Sequence, residues 1–306
     1  MRNSKSDQKP KKKILILGGA YLHNKVVEAA RDMGLYTIVT DNVPDSPAKK
    51  IADKSYDIDV SNVDAVVEMS EREGVDAVIS VCLDFCQTYY PEMCHRLGLF
   101  CWGTKEQTNI LTQKTLFKEA CVRGGIDIIQ TYSEGDIVAD RSTVAYPLLV
   151  KPSQSRGSRG SVVCYNRKDA LKAIEAARNI SSDGQAVIEK YMGGKPDFQV
   201  TYLVVDGHPY VVRTADRYLG PKDYNMERVA IALSSPSKYT DMYFANVHHK
   251  VKELVRYLNI KNGPLFFQGF IDGDTIRFYD PGMRFPGGEY DRYFSEVTGV
   301  DLMKML

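Results

Sequence analysis

No stretch of 18 or more apolar residues interrupts this chain of 306 residues, so nothing in it reads as a membrane-spanning helix. The basic N-terminus, MRNSKSDQKPKKK, leads into no apolar signal region with a cleavage site. It reads as a disordered tail over 1–12, with a nuclear-type basic signal as the weaker alternative. Neither charge sign is in excess: 40 basic side chains face 39 acidic ones, a net charge of +1, which argues against a nucleic-acid binder working through bulk charge. The six cysteines, Cys82, Cys86, Cys94, Cys101, Cys121 and Cys164, form no CxxC pair and no Cys/His metal spacing. Several lie inside apolar or helical stretches, which implies buried free thiols in a reducing, cytoplasmic compartment. There is no obvious Ser/His or Cys/His nucleophile pair. His23, His95, His208, His248 and His249 show neither metal nor triad spacing and read as structural. No internal repeat is visible.

What is present is ordinary soluble composition, 43% hydrophobic and 26% charged, in a chain long enough for two or three domains. The first hundred residues alternate strand and helix. KILIL (13–17) runs into Gly18–Gly19, a helical pattern covers 22–33 up to Gly34, and YTIVT (36–40) ends on Asp41. Further helices are expected over 63–72 and 85–97, with a strand at 77–82 between them. Short links between alternating elements imply right-handed crossovers and a parallel sheet. A helix is expected over 105–122, then strands at 148–151, 162–165 and 186–190 with a helix over 168–178. Strands follow at 198–205 and 210–214 around an Asp206–Gly207 turn, a helix over 242–258, and a late hairpin with strands at 265–271 and 275–279.

Three segments carry chemistry. Lys151 ends a strand, and SQSRGSRGS (153–161) follows it. Small residues let backbone N–H groups approach an anion, and Arg or Lys adds charge. The spacing is not GxxxxGK[ST] and a strand follows, so this is not a Walker loop. It reads as a lid over phosphates; the alternatives are a mobile loop or an Arg/Gly tract touching RNA. On the late hairpin, Gln268 and Asp280 offer oxygen ligands to Mg²⁺, with Arg284 four residues on; the alternative is a polar surface. EKYMGG (189–194) can present backbone groups to a purine edge, or serve as a plain linker. At the N-terminus, GGAYLHN (18–24) lacks the third glycine of GxGxxG, while Asp41 stands where a dinucleotide fold places its ribose acid. An NAD-dependent dehydrogenase is therefore the runner-up from the first hundred residues alone.

Taken in order, TQKTLFKEACVRGGI (112–126), YPLLVKPSQSRGSRG (146–160), VIEKYMGGKPDFQV (187–200) and GPLFFQGFIDGDTIRFYDPGMRFPGG (263–288) resemble the ATP-grasp superfamily. The nearest branch is that of the carbamoyl-phosphate synthase large subunit and biotin carboxylase. The resemblance runs from Lys13 onward. It implies an α/β ATP-grasp fold: a Rossmann-like domain over 13–103, a helical linker and lid subdomain over 104–190, and a metal-bearing subdomain over 191–306, the last two clamping ATP. Lys114 and Lys151 then match phosphate-binding lysines, and Ser153, Gly157, Arg159 and Gly160 belong to the lid loop. Glu189, Lys190 and Met192 match the adenine hinge, and Asp197 the ribose carboxylate. Gln268 and Asp280 match the metal positions, and Arg284 an arginine near the transferring phosphate or acyl phosphate. The implied cofactors are ATP and Mg²⁺, with Mn²⁺ as an alternative.

The implied reaction is ADP-forming: a small-molecule carboxylate becomes an acyl phosphate, and an amine or other nucleophile displaces phosphate. Nucleic acid and membrane are not among the implied partners, and a homo-oligomer is compatible with the reading. The N-terminal unit is expected to help bind the carboxylate near Gly19, Asp41 and Asp84. Departures bear on activity. The family commonly has Glu at the positions of Asp197 and Asp280, Gln268 is neutral, and Gly282 stands where Asn is frequent, which weakens one metal site. A nucleotide-binding homologue without catalysis is thus a further alternative. Relatives often continue past the metal region into another domain, so a truncated chain and a compact member are both open.

Overall fold

The run Ile14–Leu17 has no polar side chain and is followed by two glycines, so it forms a strand that stops abruptly. The computed structural model describes residues 11–153, 160–181, 183–220, 230–288 and 290–306. Expectations that fall on 1–10 and on most of the lid loop, including Gly157 and Arg159, lie outside the described residues. The chain divides into two compact units, the first made of 1–108, 261–264 and 282–306, the second of 109–260 and 265–281.

In the first unit, β1 (Lys13–Leu17), β2 (Tyr36–Thr40), β3 (Lys54–Tyr56) and β4 (Ala77–Ile79) form a parallel sheet in the order β3-β2-β1-β4. The register pairs Ile14 with Thr37 and with Ala77. Leu15, Ile16, Leu17, Ile38 and Val39 are fully buried, as expected of a parallel sheet covered on both faces. The connecting helices are α1 (Asn24–Asp32), α2 (Val63–Glu73) and α3 (Asp84–Leu97). The Asn62 side chain caps α2 by accepting from the Ala65 N–H, and Gly74 ends it in the left-handed region. At the carboxyl ends of the strands, the Gly19 N–H donates to Asp41 Oδ2 at 2.6 Å.

The sequence suggests one helix over 105–122, but there are two, α4 (Lys105–Ile110) and α5 (Lys114–Arg123). The break frees Gln113 to take an extended backbone and start α5 at Lys114. In the second unit, α5 is followed by β5 (Thr131–Tyr132), α6 (Glu134–Val138), β6 (Leu148–Pro152), β7 (Val162–Cys164), α7 (Arg167–Ile180) and β8 (Ala186–Lys190). The strands pair antiparallel in the order β5-β8-β6-β7. Leu148, Val150, Cys164 and Ile188 pack against Ala170, Ala173, Ile174 and Ala177 of α7. Side chains alternate along a strand, so Leu149, Lys151, Val187 and Glu189 share the opposite face.

The second sheet of this unit runs β11-β10-β9-β12-β13. Its strands are β9 (Asp197–Val205), β10 (His208–Leu219), β11 (Ala230–Ser234), β12 (Gly263–Asp272) and β13 (Thr275–Gly282). The helix expected over 242–258 is likewise two, α8 (Thr240–Asn246) and α9 (His248–Tyr257), which meet at Val247, a buried residue outside helical geometry. Phe198, Tyr202, Tyr243, Phe267 and Phe278 form an aromatic core beneath the sheet, joined by Phe117 of α5 stacked on Phe267. The last helix, α10 (Tyr290–Thr298), belongs to the first unit. Among the described residues no helix is long and apolar enough to cross a membrane.

Candidate functional site

Lys151 on β6 and Glu189 on β8 lie on the sheet face turned away from α7, two residues apart in the register. Lys151 Nζ donates to Glu189 Oε2 at 2.5 Å, and Lys118 Nζ of α5 donates to Glu189 Oε1. The Glu189 side chain is 1% exposed, so both of its oxygens are satisfied out of water. Burial alone would push this carboxyl up, yet the ammonium groups of Lys151 and Lys118 hold it below the usual carboxylate range. Lys114 sits one turn before Lys118 on the same helix face. Burial lowers its pKa and the Lys151 charge lowers it further, while Asp280 and Glu189 oppose the shift. Burial lowers Lys118 as well, against the pull of Glu189. Two lysines from two elements thus pair with one buried carboxylate, and Lys114 lies within electrostatic reach of it, with Asp280 close enough to act on Lys114.

Beside them is a cavity of about 540 Å³, lined in part by Lys114, Lys118, Ser153, Gln185 and Val187. The Ser153 N–H donates to the Gln185 carbonyl at 3.0 Å, and its hydroxyl to Asp183 Oδ1 at 2.6 Å. This ties the residue after β6 to the turn that precedes β8. Gly160, two residues before β7, has a left-handed backbone.

The segment that follows β8 is held by its backbone. The Lys190 N–H donates to the Gln130 carbonyl at 2.9 Å and the Tyr191 N–H to the Pro147 carbonyl at 3.0 Å. The Met192 carbonyl accepts from the Lys195 N–H, with the Met192 side chain buried and Lys190 exposed. A Cβ at Gly193 would lie 2.2 Å from the Tyr191 ring, so a larger residue there requires that ring to move.

A second polar cluster lies on the larger sheet. Asp197 of β9 and Arg217 of β10 are register partners, and Arg217 Nη1 donates to Asp197 Oδ2 at 2.9 Å, to Gln268 Oε1 at 3.0 Å and toward the Tyr279 hydroxyl at 2.7 Å. The Tyr279 hydroxyl donates to Asp197 Oδ2 at 2.9 Å. Burial raises the Asp197 pKa against the opposing charge of Arg217, and burial raises the Tyr279 hydroxyl too. Gln268 and Tyr279 thus face Asp197, and Phe270 stacks on Tyr279 at 4.7 Å between ring centres. Among the described residues, no three His, Cys, Asp or Glu side chains cluster to hold a metal. A cation at Gln268 and Asp280 would therefore draw further oxygens from a nucleotide, which suits Mg²⁺.

Arg284 belongs to the first unit. Its guanidinium forks Asp84, with Nη2 to Oδ2 at 2.6 Å, and its Nη1 donates to the Phe285 carbonyl at 3.0 Å. Also in this unit, the Phe285 N–H donates to the Val81 carbonyl at 3.1 Å. The six cysteines are free, five of them buried, as their apolar settings suggest. Lys118, Arg217 and Tyr279 are the side chains that sequence reasoning passed over. Only Lys118 carried a local signal, four residues after Lys114 on one helix face.

Residues 107–265 match the family model of the carbamoyl-phosphate synthase L chain, ATP binding domain, and residues 11–84 match that of the ribonucleotide synthetase preATP-grasp domain. The chain is 27% identical to the formate-dependent phosphoribosylglycinamide formyltransferase of Methanocaldococcus jannaschii, over 62% of this chain and 50% of that one. It is 24% identical to the 2-oxoglutarate carboxylase small subunit of Hydrogenobacter thermophilus, over 96% of this chain and 65% of that one. The chain therefore spans half to two thirds of these relatives' lengths. Among solved structures it resembles phosphoribosylglycinamide synthetase from Anaerococcus prevotii, with a TM-score of 0.77 at 18% identity over 97% of this chain and 74% of that one. It also resembles the biotin carboxylase domain of the Hydrogenobacter thermophilus 2-oxoglutarate carboxylase, in complex with MgADP, ADP and bicarbonate, with a TM-score of 0.78 at 18% identity over 96% and 68%. With more than half of its length matched by one family model, the chain belongs to the carbamoyl-phosphate synthase L chain ATP binding domain family and has the ATP-grasp fold.

Proposed function

We propose that this chain is an ADP-forming ATP-grasp ligase that activates a small-molecule carboxylate and passes its acyl group to an amine or another nucleophile. The observation that carries the reading is the pairing of Lys118 and Lys151 with Glu189, with Lys114 and Asp280 within electrostatic reach of that cluster. Such a cluster concentrates positive charge on one face of a sheet beside a cavity, which suits a polyphosphate. Lys114 and Lys151 would bind the phosphates. The backbone of Lys190 and Met192 would meet adenine, since the Glu189 carboxylate is engaged by lysines. Asp197 would accept the ribose hydroxyls, and Gln268 and Asp280 would hold Mg²⁺, with Mn²⁺ as a substitute, to neutralise charge on the outer phosphates.

In the reaction, a carboxylate oxygen attacks the γ-phosphorus, the bond to the β,γ-bridging oxygen breaks, and ADP leaves with that electron pair. The nucleophile then attacks the acyl carbon and expels phosphate. Positioning and charge neutralisation supply most of the rate, so no protein nucleophile is required. The family pattern gives Arg284 a role toward the acyl phosphate; its fork with Asp84 holds the guanidinium in one orientation. The six free cysteines suit a reducing compartment, and we assign the chain to the cytoplasm on that basis.

With a competent carboxylate, turnover should yield ADP and phosphate, and hydroxylamine should trap a hydroxamate. Asp280→Asn should abolish turnover more completely than Gln268→Ala, because only Asp280 carries charge. AMP as product would refute attack at the γ-phosphate. NAD reduction without ATP use would favour a dehydrogenase. One observation supports a second reading, a nucleotide binder without catalysis: Gln268 Oε1 is already engaged by Arg217 and Tyr279. Tight Mg-ATP binding with no turnover across a panel of acids would select it.

A further inference from the structure

Lys118 is one of the less exposed lysines of the molecule, at 7%, and it lies outside the motif positions that define the nucleotide site. Its ammonium holds Glu189 Oε1 while Lys151 holds Oε2. In this arrangement Lys151 is not free: it is tied to a carboxylate that water cannot reach. If Lys151 were to leave, a single remaining partner would have to keep Glu189 paired, since an unpaired buried charge is strongly disfavoured. Lys118 is that partner. It projects from α5, whereas Lys151 and Glu189 are fixed on neighbouring strands, so it can stay in place while Lys151 turns toward the cavity that Lys114, Lys118 and Ser153 line.

Resting on the nucleotide-site reading above, we propose that Lys118 is a positioning residue: it shares Glu189 with Lys151 and, by keeping that carboxylate paired, releases Lys151 to the phosphates of the nucleotide. Two features are consistent with sharing. Burial lowers the Lys118 pKa, so its charge is sustained chiefly by Glu189. The Lys114 ammonium one turn earlier repels Lys118, which favours its pairing with Glu189.

The test has one arm that needs no nucleotide. Without ligand, Lys118→Met leaves Glu189 to Lys151 alone, so Lys151 should be acylated by an N-hydroxysuccinimide ester at least ~3-fold more slowly than in the wild type, read by mass spectrometry of the Lys151 peptide. In the second arm, Mg-ATP affinity by calorimetry should fall about 10-fold in Lys118→Met, the scale of one charge-assisted contact, and Lys118→Arg should restore most of it. In a Glu189→Gln background, Lys118→Met should change neither readout, because the shared carboxylate is gone. Lys118→Gln repeats both arms with a side chain that keeps polar reach, should the Met variant not fold. An unchanged or faster Lys151 acylation overturns the inference. So does an affinity loss that persists in the Glu189→Gln background, which would place Lys118 on the nucleotide itself. Absence of Mg-ATP binding by the wild type instead overturns the proposed function, while the acylation arm still decides whether Glu189 is shared.

Discussion

At the scale of single residues, the site is governed by what burial does to charge. Glu189 is ionised inside the protein because two lysines outweigh its desolvation. Its folded pKa lies below the unfolded value of about 4.3, so its stabilising contribution is complete above that pH and is lost as pH falls through the folded pKa. Acid unfolding of Glu189→Gln should accordingly show a shallower pH dependence below about pH 4.3 than the wild type, measured by circular dichroism in urea. Equal slopes would mean that the ion pairs do not survive in solution. The cysteines make a contrast of the same kind. Burial pushes Cys82 up to about 11 and Cys86 up to about 12. Cys101 is half-buried, donates to the Gly103 carbonyl at 2.9 Å, and is lowered by a hydrogen bond from Cys94. Iodoacetamide at neutral pH should therefore label Cys101 first. Labelling of Cys82 or Cys86 ahead of it would contradict the burial described here.

At the scale of elements, local signals decided what could be read in advance. KILIL and YTIVT are apolar runs closed by glycine or aspartate, and they form the expected strands. KSY of β3 and Thr131–Tyr132 of β5 are too short and too polar to announce themselves; each exists because a neighbouring strand offers its edge. The two helix breaks were illegible for a related reason. Apolar periodicity continues through 111–113 and through Val247, and only tertiary packing decides that the backbone turns there. Capping, in contrast, is local. Asn166 accepts from the Asp169 N–H at 3.0 Å and starts α7, the helix that backs the Lys151 and Glu189 strands. Asn166→Ala should cost about 1 kcal/mol of stability, read as a lower denaturant midpoint at unchanged slope. An effect within about 0.3 kcal/mol of zero would mean the cap is replaced by water.

At the scale of the whole molecule, the two units gather residues from distant stretches of sequence, which limits what any local reading can place. Lys118 and Glu189 are 71 residues apart, and Tyr279 and Asp197 are 82. Resemblance to a family supplies the motif positions Lys114, Lys151 and Asp280, but not the side chains that hold them. The same division makes ligand effects local. Lys114, Lys151, Glu189, Asp197, Gln268 and Asp280 all fall in the second unit. A ligand bound at saturating concentration stabilises what it binds by roughly 2.7 kcal/mol at 100-fold over its Kd. Mg-ATP should therefore slow amide hydrogen exchange in β6, β8 and the first turn of α5, the elements that carry the lysine cluster. Lys151→Met should weaken Mg-ATP by roughly 10- to 100-fold, the value of one contact to a charged group, and should reduce that protection at a fixed nucleotide concentration. Exchange in β1 and β2 should depend far less on this substitution, because the parallel sheet they share contains none of the lysines. Protection that is equal in wild type and Lys151→Met would remove Lys151 from the nucleotide site, and with it the main support for reading this sheet face as a phosphate-binding surface.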